Sequence, residues 1–364
     1  MQRRSGLSQR GFSLVELAVA VLLGAIVVGG LINLFISNRK AYQVQSGNNF
    51  LQENLRIATD RIGWSVRMAD FWGGNRFNTV TTNSGTTVTA KGNCNGAWAT
   101  LVDATQTGGG GVYGYDGGTA FPIDAPCIDG DANYVKGSDV LVLRYADSTE
   151  LSPGPADATT PAEASTIKNN AKETFLLSTP GVAGQLFAGT VPTTSTAKLQ
   201  RYAYPYQVEV YYLRPCSVIA SGTTCKATDD NGLPLPTLMR MHLNADGTFA
   251  SDAIVTGIEQ IKFEYGVQDT GATAPTYKAA SSVAATEWPN VTSVRISMVA
   301  VNPTRNLGIP NVGTFTAASC VYKINNGSTD VSKCTNFTPY GDKPWQFTRA
   351  RLQQVAQVRN RVRG

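Results

Sequence analysis

Histidine is almost missing from this chain: His242 is the only one in 364 residues. Its setting, Met241-His242-Leu243, reads as strand, where a lone histidine is structural or at the surface rather than catalytic. No Gly-x-Ser-x-Gly elbow stands before a helix. The glycine-rich stretch Gly108–Gly114 lacks the Gly-Lys-Ser/Thr ending of a phosphate loop and reads as a flexible connection. No Cys-x-x-Cys occurs, which with one histidine argues against a zinc site. Asp129-Gly130-Asp131-Ala132-Asn133 opens like a calcium loop, but no glycine follows Asn133 and Val140 stands where the twelfth position needs glutamate. It reads as a solvated turn. Catalysis needs convergent reactive groups. These absences leave none, so neither an enzyme nor a cofactor is expected.

Charge is scarce as well, at 16% Asp, Glu, Lys and Arg, below the usual quarter. Of the net charge of +5, Arg3, Arg4 and Arg10 supply three, so the chain from Phe12 onward carries +2. Nucleic-acid binding needs clustered basic charge. The one cluster is Arg349, Arg351, Arg359, Arg361 and Arg363. Without interleaved aromatics to stack bases, it reads as a solvated strand edge guarded by charge, and nucleic acid is not an expected partner.

Proline is absent before Pro122. Leu17–Ile36 holds no charge, and about 20 apolar residues span a bilayer. Leu51, Leu55, Ala58, Ile62, Val66 and Ala69 then recur at spacings of four and three, as on one face of a helix. Glu53–Arg56 and Arg56–Asp60 add surface pairs, and Gly73-Gly74 signals a stop. The pattern predicts one helix from about Phe12 to Trp72, about 90 Å long at 1.5 Å per residue. Its second half is amphipathic and needs a partner, for which a β-sheet is expected.

The six cysteines, Cys94, Cys127, Cys216, Cys225, Cys320 and Cys334, are even in number. On an exported chain that suggests disulfides and an oxidising compartment, with about 15 pairings open. The nearest-neighbour set is Cys94–Cys127, Cys216–Cys225 and Cys320–Cys334. Strands are predicted at Asp139–Tyr145, Gln207–Leu213, Leu238–Leu243, Ile254–Val267 (bent) and Val291–Val301. Residues 73–135 read as loop-rich, Thr81–Thr89 as polar, and Ser152–Thr166 as a surface loop. Phe347–Val362 is ambiguous between helix and strand by periodicity.

The N-terminus has three readings. A secretory signal peptide needs a small-residue cleavage site after its apolar core; Ile36-Ser37-Asn38-Arg39-Lys40 does not supply one. A plain anchor accounts for Leu17–Ile36 but not for Glu16, since an acid at the edge of a membrane segment is expensive and so usually functional. The third reading places the basic leader in the cytoplasm and cleavage between Gly11 and Phe12. Gly11-Phe12-Ser13-Leu14-Val15-Glu16-Leu17 resembles the processing site of type IV pilin-like proteins. The resemblance implies a prepilin peptidase that cuts after Gly11 and methylates the Phe12 amine. It also implies that Glu16 faces the Phe12 amine of a neighbouring subunit.

Glu53-Asn54-Leu55-Arg56-Ile57-Ala58, Arg67-Met68-Ala69, the stretch Ile258–Val267, Val294–Val299 and Val358-Arg359-Asn360-Arg361 are similar to the PilW family of type IV minor pilins. That resemblance implies an α+β, type IV pilin-like fold: a long N-terminal helix with a membrane-spanning first half, packed on an antiparallel β-sheet head. It favours an extended strand at the C-terminus. The family often carries Gly-Cys after the helix; here Gly73-Gly74 stands there and the first cysteine is Cys94. The implied organisation is a cleaved leader 1–11, a helix 12–72 with a transmembrane segment 17–36, and a periplasmic head 73–364 with a variable region 75–200. The implied partners are other minor pilins, the major pilin, prepilin peptidase, the inner-membrane assembly platform and a tip adhesin, with pilus initiation, cell adhesion and twitching motility as the setting. A J-like minor pseudopilin of a type II secretion system and a membrane-anchored adhesin acting through 75–200 stay open.

Overall fold

A computed structural model of the chain describes residues 13–83, 86, 88, 92, 94–148, 151, 167, 169–189, 191–192, 201–306 and 310–362. The expected surface loop Ser152–Thr166 therefore lies outside the described residues. The chain forms two compact units, Met1–Asn49 and Phe50–Gly364.

Helix α1 (Leu14–Met68) supplies the first unit and opens the second. At its start the Leu17 N–H donates to the Ser13 carbonyl at 3.0 Å. From Phe50 on, the helix is amphipathic. Leu51, Leu55, Ala58, Ile62, Val66 and Ala69 are all buried, in one core with residues from two sheets. The helix ends about a turn earlier than its expected limit at Trp72. The chain reverses at Asp70, which takes a left-handed φ of 63°, before Gly73 and Gly74 do the same. Aspartate tolerates that conformation when its carboxylate is held locally, and here the Trp72 Nε1 donates to Asp70 Oδ1 at 2.9 Å.

The strands are β1 (Val80–Thr82), β2 (Val112–Tyr115), β3 (Val140–Ala146), β4 (Thr174–Thr179), β5 (Ala183–Ala188), β6 (Tyr202–Arg214), β7 (Thr237–Leu243), β8 (Phe249–Thr256), β9 (Ile258–Val267), β10 (Thr276–Lys278), β11 (Val291–Arg305), β12 (Gly313–Ala317), β13 (Cys320–Asn325), β14 (Ser328–Lys333) and β15 (Phe347–Gln357). They build an eight-stranded sheet in the order β1-β5-β4-β6-β3-β2, with β7 added to β6 and β8 to β7. A second sheet runs β10-β9-β11-β15 and a third β12-β13-β14. Pairing is antiparallel except for β1 with β5.

The expected bent strand Ile254–Val267 is two strands that belong to different sheets. Gly257, at φ 75°, divides them. Its N–H donates to the Pro236 carbonyl and its carbonyl accepts from Val301 N. A Cβ there would lie 2.8 Å from the Val301 oxygen, so only glycine fits. The ambiguous C-terminal stretch resolves into β15 followed by one short helical turn, α2 (Arg359–Val362). Within 73–135 the structure adds β1 and β2 to the expected loops.

Three disulfides staple the second unit: Cys94–Cys127, Cys216–Cys225 and Cys320–Cys334. Each closes a local loop, which typically contributes about 2–4 kcal/mol.

Candidate assembly surface

From Leu14 to Ile36 the first unit is an apolar stretch of α1. Every large apolar side chain from Leu14 to Ile36 is exposed, and the helix is long and apolar enough to cross a membrane. In water such a surface is unstable; it needs lipid or other apolar helices. Glu16 is the one acid in the first turn, and it is exposed. A carboxylate is favoured there by the partial positive charge of a helix N-terminus. Gly11 and Phe12 lie outside the described residues.

Two features of this segment escape a scan for charge. Asn33 is the only polar side chain between Leu17 and Ile36, and its Nδ2 donates to the Gly29 carbonyl at 3.0 Å. Bonding back into its own helix lets an amide enter an apolar phase. Gly24, Gly29 and Gly30 have no atom within 4 Å of where a Cβ would sit. Among the described residues no neighbouring side chain or segment requires those glycines, while small residues allow two helices in lipid to approach closely.

In the second unit the residues singled out for chemistry lie on strands and turns among polar neighbours. His242 lies on β7, with Nδ1 3.4 Å from Asp252 Oδ2, beside a chain of ion pairs: Arg61–Glu209, Glu209–Arg240 and Arg240–Asp252. Asp131 Oδ1 accepts from Phe121 N, and Asn133 bridges Ile128 and Thr223 while accepting from Cys225 N. The Asp129–Asn133 stretch is thus tied into its own neighbourhood.

The stretch Gly108–Gly114 is not a flexible connection. It is folded around Arg144, which is fully buried; the guanidinium donates to the carbonyls of Gly110, Gly108 and Trp98 at 2.7–2.8 Å. A loop that turns its carbonyls inward onto a cation presents no N–H cradle to a phosphate.

The terminal arginines also differ from expectation. Arg351 and Arg359 are exposed, and Arg363 lies outside the described residues. Arg349 is buried and forms a two-pronged pair with Glu259, at 2.7 and 2.8 Å. Tyr322 Oη and Tyr340 N donate to the same carboxylate. Arg361 Nε pairs with Asp70 Oδ2 at 2.7 Å. The Asn360 amide donates to the carbonyls of Met68 and Ala69 at 3.2 and 3.0 Å, so it caps the end of α1. Alternation along β15 resembles a solvated edge in sequence; the partners that bury Arg349 and Arg361 are far away in the chain.

The family model described as type IV pilus-assembly protein W matches residues 221–360. The model of the prokaryotic N-terminal methylation motif matches residues 7–32. No curated protein and no solved structure matches the chain.

Proposed function

We propose that this PilW-like minor pilin of a type IV pilus acts in the initiation and assembly of the filament, within the complex at its tip. The observation that carries the reading is an exposed, charge-free segment, Leu17–Ile36, placed directly behind Glu16, with the methylation motif covering residues 7–32. Prepilin peptidase cuts after Gly11 and methylates Phe12. The mature protein then waits in the inner membrane by its apolar helix, with residues 73–364 in the periplasm. Three disulfides fit that oxidising compartment.

Glu16 supplies the ordering step. A carboxylate entering an apolar helix bundle needs a counter-charge, because an unpaired buried charge is strongly destabilising. The Phe12 amine of a neighbouring subunit is that partner. Other minor pilins, the major pilin, the assembly platform and a tip adhesin are the surfaces met during assembly. The role is structural rather than catalytic.

Two variants test this. Gly11→Ala should leave an uncleaved precursor in the membrane, seen by intact mass; normal maturation would overturn the prepilin assignment. Glu16→Ala should be cleaved and inserted but fail to co-purify with other pilus subunits. Wild-type recruitment would remove the charge-pairing account.

A further inference from the structure

Sheet edges expose rows of unpaired N–H and C=O groups, and proteins blunt them with short strands, bulges, proline or charge. In the second sheet the two edges are treated differently. β10 is three residues long. β15 pairs with β11 without a break from Arg349 to Gln357, and it contains neither proline nor glycine. Among the described residues, no main-chain or side-chain group outside β11 bonds the backbone of Ala350–Gln357. Gln353, Val355 and Gln357 are exposed, Val355 at 46%. The other long edge, β8, has an irregular register against β7 and carries the ion-paired Asp252.

We propose that the β15 edge is a docking site for an extended strand of another pilus subunit, one that carries an acidic residue opposite Arg351. An unbroken row of free backbone groups selects an extended backbone, which adds as a further strand. Charge selects the sequence. Thr348–Val358 contains two arginines and no acid. Arg349 is consumed by Glu259, while Arg351 is exposed and has no ion pair among the described residues. A second copy of this chain would bring an equally acid-free edge and offer Arg351 no counter-charge. β15 also lies inside the region matched by the pilus-assembly family. The proposal rests on the minor pilin reading.

The test is hydrogen exchange on the full processed protein in detergent, alone and mixed in turn with each purified minor pilin and the major pilin of the same pilus. In the free protein, the Ala350–Gln357 amides that face away from β11 should exchange fast. One of the added subunits should slow them at least about tenfold. Arg351→Glu should weaken that association about tenfold, the scale of reversing one cross-strand charge pair, while Arg351→Lys retains it. Unchanged protection of β9 and β11 would show that both variants are folded. Association without protection of Ala350–Gln357 would overturn the docking site and leave the pilin reading intact. Protection that grows with the protein's own concentration would overturn the choice of partner in favour of a second copy. No association with any of these subunits, with Gly11 cleavage normal, would overturn the docking site. Failure of cleavage itself would overturn the pilin reading and the proposal together.

Discussion

Asp70 and Arg361 meet at 2.7 Å, each with its side chain only 5% exposed, and they join the turn that follows α1 to a residue of α2. Asp70 Oδ1 also accepts from Trp72 Nε1 and Gly111 N. Arg361 Nη1 donates to the carbonyls of Trp288 and Val291. One ion pair thus collects the helix end, the glycine loop before β2 and the segment leading into β11.

Removing one member of that pair should be costly. Arg361→Ala strands a buried carboxylate and should lower stability by about 3–5 kcal/mol. Asn360→Ala removes only a helix cap and should lower it by about 1 kcal/mol. Thermal or denaturant unfolding of the single variants and of Asp70→Ala/Arg361→Ala checks this. The double variant should lose clearly less than the sum of the singles.

The arginines of β15 should separate by burial rather than by position. Arg349→Ala leaves Glu259 buried with only Tyr322 and Tyr340 as donors, and the expected loss is again about 3–5 kcal/mol. Arg351→Ala, at an exposed site, should stay within about 0.5 kcal/mol of wild type. Equal effects in a denaturant titration would contradict the buried pair.

The loop closed by Cys216–Cys225 should loosen in acid. Burial opposes the Asp230 carboxylate, but hydrogen bonds from the Ser217 hydroxyl and from Leu235, Ser217 and Val218 N–H outweigh it and hold the group below its ordinary value. A lowered folded pKa stabilises above the unfolded value, about 3.9, and the gain is lost as pH falls through the folded one. Asp230→Asn should therefore flatten the acid limb of stability below about pH 4. Amide exchange at Ser217, Val218 and Leu235 between pH 5 and pH 2.5, referenced to intrinsic rates, would show it.

Reduction should be stepwise. Cys320 and Cys334 are both buried, whereas Cys127 and Cys225 are partly accessible. Mild reductant followed by alkylation and mass analysis should label Cys94–Cys127 and Cys216–Cys225 first. Early labelling of Cys320–Cys334 would show that the third sheet opens on its own.

The parts of the structure visible in the sequence are those with a strong local period. The stripe from Leu51 to Ala69 marked the buried face of α1, and β-branched runs marked β3, β6, β7, β9 and β11. Polar strands such as β14, Ser328–Lys333, carry no such pattern. The helix stop at Asp70 was hidden because its left-handed backbone depends on donors from Trp72, Gly111 and Arg361. Arg349 and Arg144 look solvated in sequence because their partners lie on other strands and loops. Asn33 was hidden by its setting: one amide in an apolar run does not change the hydropathy that defines the run.

The Asn360 cap has a consequence in time. Asn360 and Ala69 are 291 positions apart, so the carbonyls that end α1 wait for a residue made long after them. Contacts of such separation form late and slow folding. The end of α1 is therefore capped only after the strands that lie between these residues in the chain have been made. A chain interrupted anywhere between Ala69 and Asn360 would therefore leave the carbonyls at that end of the helix without their cap.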